Sequence, residues 1–477
     1  MTVEQKEKII AFLQDQIAQA PFRIKAYVFD EKGKKNPTRN AFVKLKMHVN
    51  NYLQGKAEIR WLVMSGLRGA GKTTLLAQLY QDTPAPQNRK LFLSIDQVTQ
   101  TFGVSLLEIL NVYEELIGTT FERLDEPVFL FLDEVQYDKQ WATLLKTIYD
   151  RSKKVFIIVT GSSALMLQAS PDVARRTIYE KLFPMSFTEY MKIKQNKYEI
   201  KDLCKKLRTA VFNSSSAEEV YSLLKTQEKQ VRQYWTGIER LEIDRYMQYG
   251  TLPFMVALKN EALVYDQIKK TLDRVVSNDI PQIGQFTSDI LMRIPMILYA
   301  VADSEQLSLN SLTKSLEMSR PTLINILETL VKTETLIRIY PHGSHMSQSR
   351  KPSKYLFASP AFRSMYFNFI GSIHKRDNYK GKLLEDTVGL YLNRLLFSRS
   401  NTSLTYDNVE GGADFIVRLG NDYIIIEAGY GEKGFKQVAA TGTRIPSRYG
   451  LNVSMSPLKI SDNKKYVNVP LSYFLLM

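Results

Sequence analysis

The chain has 477 residues, 44% of them hydrophobic, enough for roughly three folded domains, and a net charge of +15 that favours polyanionic partners. One cysteine, Cys204, excludes an internal disulfide, and four scattered histidines (His48, His342, His345, His374) without cysteine partners argue against a zinc site. No apolar run approaches the roughly 18 residues of a membrane span and the charged amino-terminal segment lacks a signal peptide's apolar core, so a reducing cytoplasmic location without a membrane partner is expected. Residues 1–60 carry two helical patterns around a turn-rich basic stretch at 30–39 (DEKGKKNPTR), read as a solvated loop.

The stretch 61–80, WLVMSGLRGAGKTTLLAQLY, joins an apolar strand to a glycine-rich turn and an amphipathic helix. Gly66, Gly71, Lys72 and Thr73 satisfy the spacing G-x-x-x-x-G-K-[ST]. Gly66, Gly69 and Gly71 let successive backbone N–H groups face a polyphosphate, with Arg68 and Thr74 completing the loop. Lys72 reaches the β- and γ-phosphates and Thr73 offers its hydroxyl to Mg2+. Downstream, 90–96 (KLFLSID) is short and β-like, and 104–116 has helical spacing. PVFLFLDE at 127–134 reads as a strand buried on both faces, ending in two carboxylates at the edge where α/β sheets bind ligands. There Asp133 would hold Mg2+, and Glu134 would orient or deprotonate the attacking water. VFIIVTGSS at 155–163 is another buried strand; Thr160 and Ser162 at its end are candidates to sense the γ-phosphate, an ordinary turn being the alternative.

Four strings in this order, GLRGAGKTT, FLDEVQYDKQWATLLKTIYD, IVTGSSALML and ARRTIYEKLFPMSFTEYM, make residues 61–190 resemble the AAA+ ATPase domains of the AAA_14 and DUF4143 type, related to archaeal ATPases of the STAND-like lineage. The resemblance implies a nucleotide-driven P-loop core, with ATP and Mg2+ as cofactors. It also places Arg175 or Arg176 where an arginine contacts the γ-phosphate, a solvated pair beyond a helix being the alternative. Residues 191–300 are expected to form a helical connector, with a Ser-rich break at 213–216 and a stretch, YGTLPFMVA at 249–257, that resembles the start of the DUF4143-type region.

Residues 301–358 have the order helix, turn, helix, two strands, which predicts a winged helix. Ser319 caps the second helix, in which Leu323, Ile326, Leu327, Leu330 and Val331 form one apolar face. On duplex DNA, Arg320, Thr322 and Asn325 would lie nearest the bases and Arg350, Lys351 and Lys354 near phosphates; docking within the protein is the competing reading. Residues 359–477 offer Glu385 on a helix, Asp414 at the start of a strand and Glu427 at the end of the next. That set resembles the PD-(D/E)xK nuclease core, in which such residues bind Mg2+ and activate water. Gly429 stands where the pattern places lysine, and Lys433 is four residues further on, so a degenerate fold that binds or braces is expected over an active nuclease.

The sequence therefore predicts an α/β protein: a P-loop NTPase parallel sheet with helices on both faces, then a helical connector, a winged helix and a small nuclease-like α/β domain. Its expected function is an ATP-binding and ATP-hydrolysing switch that controls a DNA- or protein-binding half; an oligomer in which an arginine finger acts is left open. The alternatives are an ATP-controlled nuclease and a non-hydrolysing, nucleotide-bound interaction protein.

Overall fold

The computed structural model describes residues 2–162, 171–258, 260–304, 307–344, 346, 348, 351–370, 376–432 and 434–477. The chain divides into two compact units, Met1–Phe183 and Pro184–Met477. Among the described residues no helix is long and apolar enough to cross a membrane.

The first unit is built on five parallel strands: β1 (Trp61–Ser65), β2 (Lys90–Ser94), β3 (Val128–Asp133), β4 (Val155–Gly161) and β5 (Ile178–Lys181), in spatial order β2-β3-β4-β1-β5. Every residue of β1, β3 and β4 is buried, which is why these strands read as unbroken apolar runs. β5 is half-buried at all four positions and mixes Ile, Tyr, Glu and Lys, so it carries no apolar pattern of its own. Helix Val3–Val28 buries Ile9 and Leu13 in the same core as Trp61, Leu91 and Leu130, and the Trp61 ring meets Trp141 edge-on at 6.2 Å. Because all five strands run the same way, the carboxyl ends of β1, β3 and β4 share one edge.

The basic stretch at 30–39 is only partly the solvated loop expected. Lys32, Lys34 and Lys35 are exposed, but Arg39 is 6% exposed and donates to the carbonyls of Ala70 (2.7 Å) and Phe183 (2.8 Å). A buried guanidinium that satisfies two main-chain carbonyls holds segments together, so this arginine is structural where its neighbours are not.

The second unit begins with short helices, including Phe187–Gln195, Leu203–Phe212 and Ala217–Thr226, and centres on an eight-stranded mixed sheet. Its strands are β6 (Leu336–Pro341), β7 (Lys354–Phe357), β8 (Thr402–Tyr406), β9 (Phe415–Leu419), β10 (Asp422–Gly429), β11 (Tyr449–Ser454), β12 (Lys459–Ile460) and β13 (Tyr466–Pro470), in the order β12-β13-β11-β10-β9-β8-β6-β7. Helix Arg376–Phe397 packs Leu384, Val388 and Leu392 into the core formed by Phe415, Val417, Ile424 and Ile426. Helices Leu309–Ser315 and Arg320–Lys332 and the antiparallel pair β6–β7 occur in the expected order, and the Ser319 side chain accepts from Thr322 N–H. The hairpin does not stand alone as a wing, however. β6 also pairs in parallel with β8, through Tyr340 with Thr405 and Pro341 with Tyr406, so the hairpin forms the edge of the carboxyl-terminal sheet.

Candidate functional site

Gly69 and Gly71 adopt φ of 85° and 93°, left-handed values that a side chain disfavours. Gly66 is demanded by packing as well: a Cβ there would lie 2.3 Å from the carbonyl oxygen of Leu182, where the chain leaves β5. Helix Lys72–Asp82 starts directly behind Gly71, so its free N–H groups open onto the loop. Lys72 is 6% exposed, and its ammonium donates to the loop carbonyls of Gly66 (3.0 Å) and Leu67 (3.4 Å). Arg68, Thr73 and Thr74 are half-buried around it.

Asp133, at the end of β3, is the point where three segments meet. Thr73 Oγ1 donates to its Oδ2 at 2.6 Å, and the Thr160 hydroxyl from the end of β4 donates to its Oδ1. Burial pushes the Asp133 carboxyl up to about 6, the adjacent Glu134 carboxylate adds to the rise, and the two hydroxyls and Lys72 oppose it. A buried carboxylate short of positive charge, beside a threonine hydroxyl, is a hard-oxygen donor set that fits Mg2+, an ion that takes one or two protein oxygens and completes its shell with phosphate and water. Thr160 is thus engaged with Asp133, and its oxygen also accepts the Glu134 N–H at 3.3 Å. Ser162 is buried just beyond β4, and residues 163–170 lie outside the described ones. Glu134 adopts φ of 53°, and its Oε2 accepts from Gln136 Nε2 at 2.5 Å.

The two candidate arginines pair with carboxylates of their own unit. Arg175 pairs with Asp172 at 2.7 Å, and Arg176 with Asp150 at 2.7 Å. Both precede β5, which runs parallel to β1, so they stand at the sheet edge where strands begin, whereas the phosphate loop follows the end of β1. Neither reaches the loop of its own chain.

In the second unit, Glu385, Asp414 and Glu427 do converge, on a cavity of about 1080 Å3. Asp414 Oδ2 accepts from Ala428 N–H at 3.0 Å, and Glu427 Oε2 accepts from Asp414 N–H at 3.2 Å. A fourth member joins them from a distant part of the chain. Lys354, expected on the wing near phosphates, turns inward from β7, with its ammonium 2.9 Å from Asp414 Oδ1 and paired with Glu385. Burial alone would lower the ammonium's pKa, but Asp414 and Glu385 outweigh it and raise it. Glu385 is pushed up to about 7 by burial, with Lys354 opposing and Asp414 adding to the shift. With the ammonium between the carboxylates, the arrangement does not fit a metal ion; among the described residues no group of three His, Cys, Asp or Glu side chains is placed to hold one.

Of the other expected DNA contacts, Arg320 and Asn325 are placed on the first turns of helix Arg320–Lys332, and Thr322 is half-buried with its hydroxyl 2.7 Å from Ser319. Lys351 is exposed and donates to Asn408 at 3.0 Å; Arg350 and Lys433 lie outside the described residues. Arg320, Arg338 and Lys351 line one groove of about 400 Å3. Sequence reasoning missed Arg39, Gln136 and the true place of Lys354. Arg39 and Lys354 sit in basic stretches that look solvated, and Gln136 has no motif of its own.

Residues 58–191 match an AAA domain, and residues 240–369 match a domain of unknown function (DUF8612). The uncharacterized protein MJ1637 of Methanocaldococcus jannaschii is 33% identical over 473 residues, 98% of this chain and 93% of that protein. The uncharacterized protein MJ1544 of the same organism is 21% identical over 387 residues, 77% of this chain and 74% of that protein. Among solved structures, the Aeropyrum pernix ORC1 protein in complex with DNA aligns over 73% of this chain and 94% of its own at 13% identity, with a TM-score of 0.32.

Proposed function

The chain belongs to the family of the uncharacterized protein MJ1637 and carries an AAA domain, and from that premise we propose that it is an ATP-hydrolysing switch. The observation that carries this reading is Asp133, which joins the phosphate loop through Thr73 and the end of β4 through Thr160, with Glu134 next to it. The loop N–H groups and the start of helix Lys72–Asp82 bind the phosphates, and Lys72 exchanges the carbonyls of Gly66 and Leu67 for phosphate oxygens. Mg2+, held by Thr73 and Asp133, would neutralise charge on the β- and γ-phosphates. Glu134 accepts the proton of the water that attacks the γ-phosphorus. Release of phosphate from ATP by the full chain tests the proposal: Lys72→Ala abolishes binding, and Glu134→Gln binds without turnover. A wild type that binds but never hydrolyses ATP leaves the non-catalytic alternative.

The nucleotide state would control what the second unit binds. Duplex DNA is favoured by the groove that carries Arg320, Arg338 and Lys351, and by the net charge of +15. Stimulation of hydrolysis by duplex DNA tests that coupling, and no response at low salt favours a protein partner. The carboxylate cluster around Lys354 reads as a brace, since one ammonium is shared by Glu385 and Asp414. Mg2+-dependent cleavage of DNA by the wild type, lost in Asp414→Asn, would overturn the brace in favour of a nuclease.

A further inference from the structure

Gln136 lies two residues beyond Glu134, in the short turn Val135–Tyr137 that follows β3. The left-handed backbone at Glu134 starts this turn and brings the two side chains together, so that the Gln136 amide donates to the Glu134 carboxylate at 2.5 Å. A left-handed conformation at a non-glycine residue costs free energy and persists where its surroundings enforce it. Here the enforced result is one carboxylate held by one amide.

Three features separate this contact from an incidental surface hydrogen bond. Gln136 is 2% exposed, so its amide is fixed by its burial and does not swing in solvent. Its Oε1 has no hydrogen-bond partner among the described residues, so the side chain gives up half of its hydrogen-bonding capacity to keep Nε2 on Glu134. The donor is also neutral. A lysine or arginine in its place would form an ion pair and compete with the proton that Glu134 has to receive, whereas an amide directs the carboxylate without neutralising it.

We infer that Gln136 is a positioning residue for ATP hydrolysis, holding the Glu134 carboxylate in the orientation from which it takes the proton of the attacking water. This rests on the hydrolytic reading of the AAA domain given above. In the step concerned, the water oxygen bonds to the γ-phosphorus, the bond from that phosphorus to the β–γ bridging oxygen breaks, and the electron pair leaves with ADP. The water proton passes to Glu134 and then to the inorganic phosphate. Gln136 exchanges no proton in this sequence and does not touch the nucleotide.

The test is steady-state hydrolysis of Mg·ATP by the full chain, with binding of a non-hydrolysable ATP analogue measured alongside. Four forms are compared: wild type, Glu134→Gln, Gln136→Met and the double variant. Methionine keeps the length and volume of glutamine and removes the donor. The expected result for Gln136→Met is a kcat lower by about 10- to 100-fold, with KM and analogue affinity within about twofold of wild type. The double variant should be no slower than Glu134→Gln alone, because Gln136 acts through Glu134. An unchanged kcat in Gln136→Met would overturn the inference, and so would a further loss in the double variant. If Gln136→Met does not melt as a folded protein, Gln136→Glu takes its place: it keeps the shape, turns the donor into a repelling carboxylate, and must show the same loss of kcat with binding retained. A wild type that does not hydrolyse ATP defeats the hydrolytic reading itself and this inference with it, whereas a Glu134→Gln as fast as wild type removes Glu134 from the chemistry and overturns this inference alone.

Discussion

Lys354 Nζ lies 2.9 Å from Asp414 Oδ1, which joins the outer strand of the β6–β7 hairpin to the residue just before β9, 60 positions further along the chain. The same ammonium pairs with Glu385 on helix Arg376–Phe397. The hairpin is therefore tied to the carboxyl-terminal sheet twice, by the β6–β8 pairing and by the half-buried Lys354 ammonium. A lysine that would count as a phosphate contact on a free wing becomes an internal counter-charge once the hairpin is part of a sheet.

Removal of that cation should destabilise the second unit. In Lys354→Met two half-buried carboxylates are left without their counter-charge, a change that costs at most about 3–5 kcal/mol when both remain ionised. The deficit should depend on pH. Glu385 has a folded pKa of about 7 against 4.5 for the unfolded group, so its stabilising contribution is complete below pH 4.5 and is lost as pH rises through 7. Without Lys354 its pKa rises further. Urea unfolding should therefore show the deficit of Lys354→Met largest above pH 7 and shrinking as Glu385 takes up a proton; a deficit equal at pH 5 and pH 8 would refute the assignment.

Asp133 predicts a second pH effect, in the nucleotide-free protein. Its folded pKa of about 6 exceeds the ordinary 3.8, so wild type should lose stability as pH rises from about 4 through 6, and Asp133→Asn should lack this component. Thermal melts across that range provide the comparison. Mg·ATP should then raise the melting temperature of wild type and leave Asp133→Asn nearly where it was, because a ligand stabilises only as far as it binds. Equal shifts in both proteins would remove Asp133 from the site.

These residues also mark where a sequence stops being readable. The P-loop, β3 and β4 were legible because strands buried on both faces must be apolar along their whole length, and because a polyphosphate loop needs its glycines at fixed spacing. β5 was not, since an edge strand half-exposed at every residue imposes no pattern. Glu385, Asp414 and Glu427 were found by their spacing along a helix and a hairpin, but Lys354 belongs to them only through the β6–β8 register, a long-range pairing with no local signature. Which edge of the sheet Arg175 and Arg176 occupy likewise depends on β5.

Arg39 links the amino-terminal segment to the phosphate loop through the Ala70 carbonyl. Arg39→Met should release that carbonyl and loosen the loop without disturbing Asp133 or Glu134. The expected outcome is weaker ATP binding by about tenfold, equivalent to ~1.4 kcal/mol, with kcat nearly unchanged. Titration with a fluorescent ATP analogue and steady-state kinetics separate the two quantities. A fall in kcat at constant affinity would place Arg39 in the chemistry instead.

The groove with Arg320, Arg338 and Lys351 supplies the last prediction, because the structure separates these cations from Lys354. Cations that meet DNA phosphates release counterions, so the logarithm of the binding constant should fall linearly with the logarithm of salt concentration. Neutralising Arg320 and Lys351 together should reduce that slope by about 2, one unit for each phosphate no longer neutralised, and weaken binding similarly across sequences. Lys354→Met, under conditions where its melt shows it folded, should leave the slope unaltered, since its ammonium is engaged by Glu385 and Asp414. Fluorescence anisotropy with duplex DNA at several salt concentrations measures all three slopes. If Lys354→Met flattened the slope as much as the joint Arg320 and Lys351 substitution, the hairpin would have to leave the sheet to meet DNA; if no variant changed it, the groove would not be the binding surface.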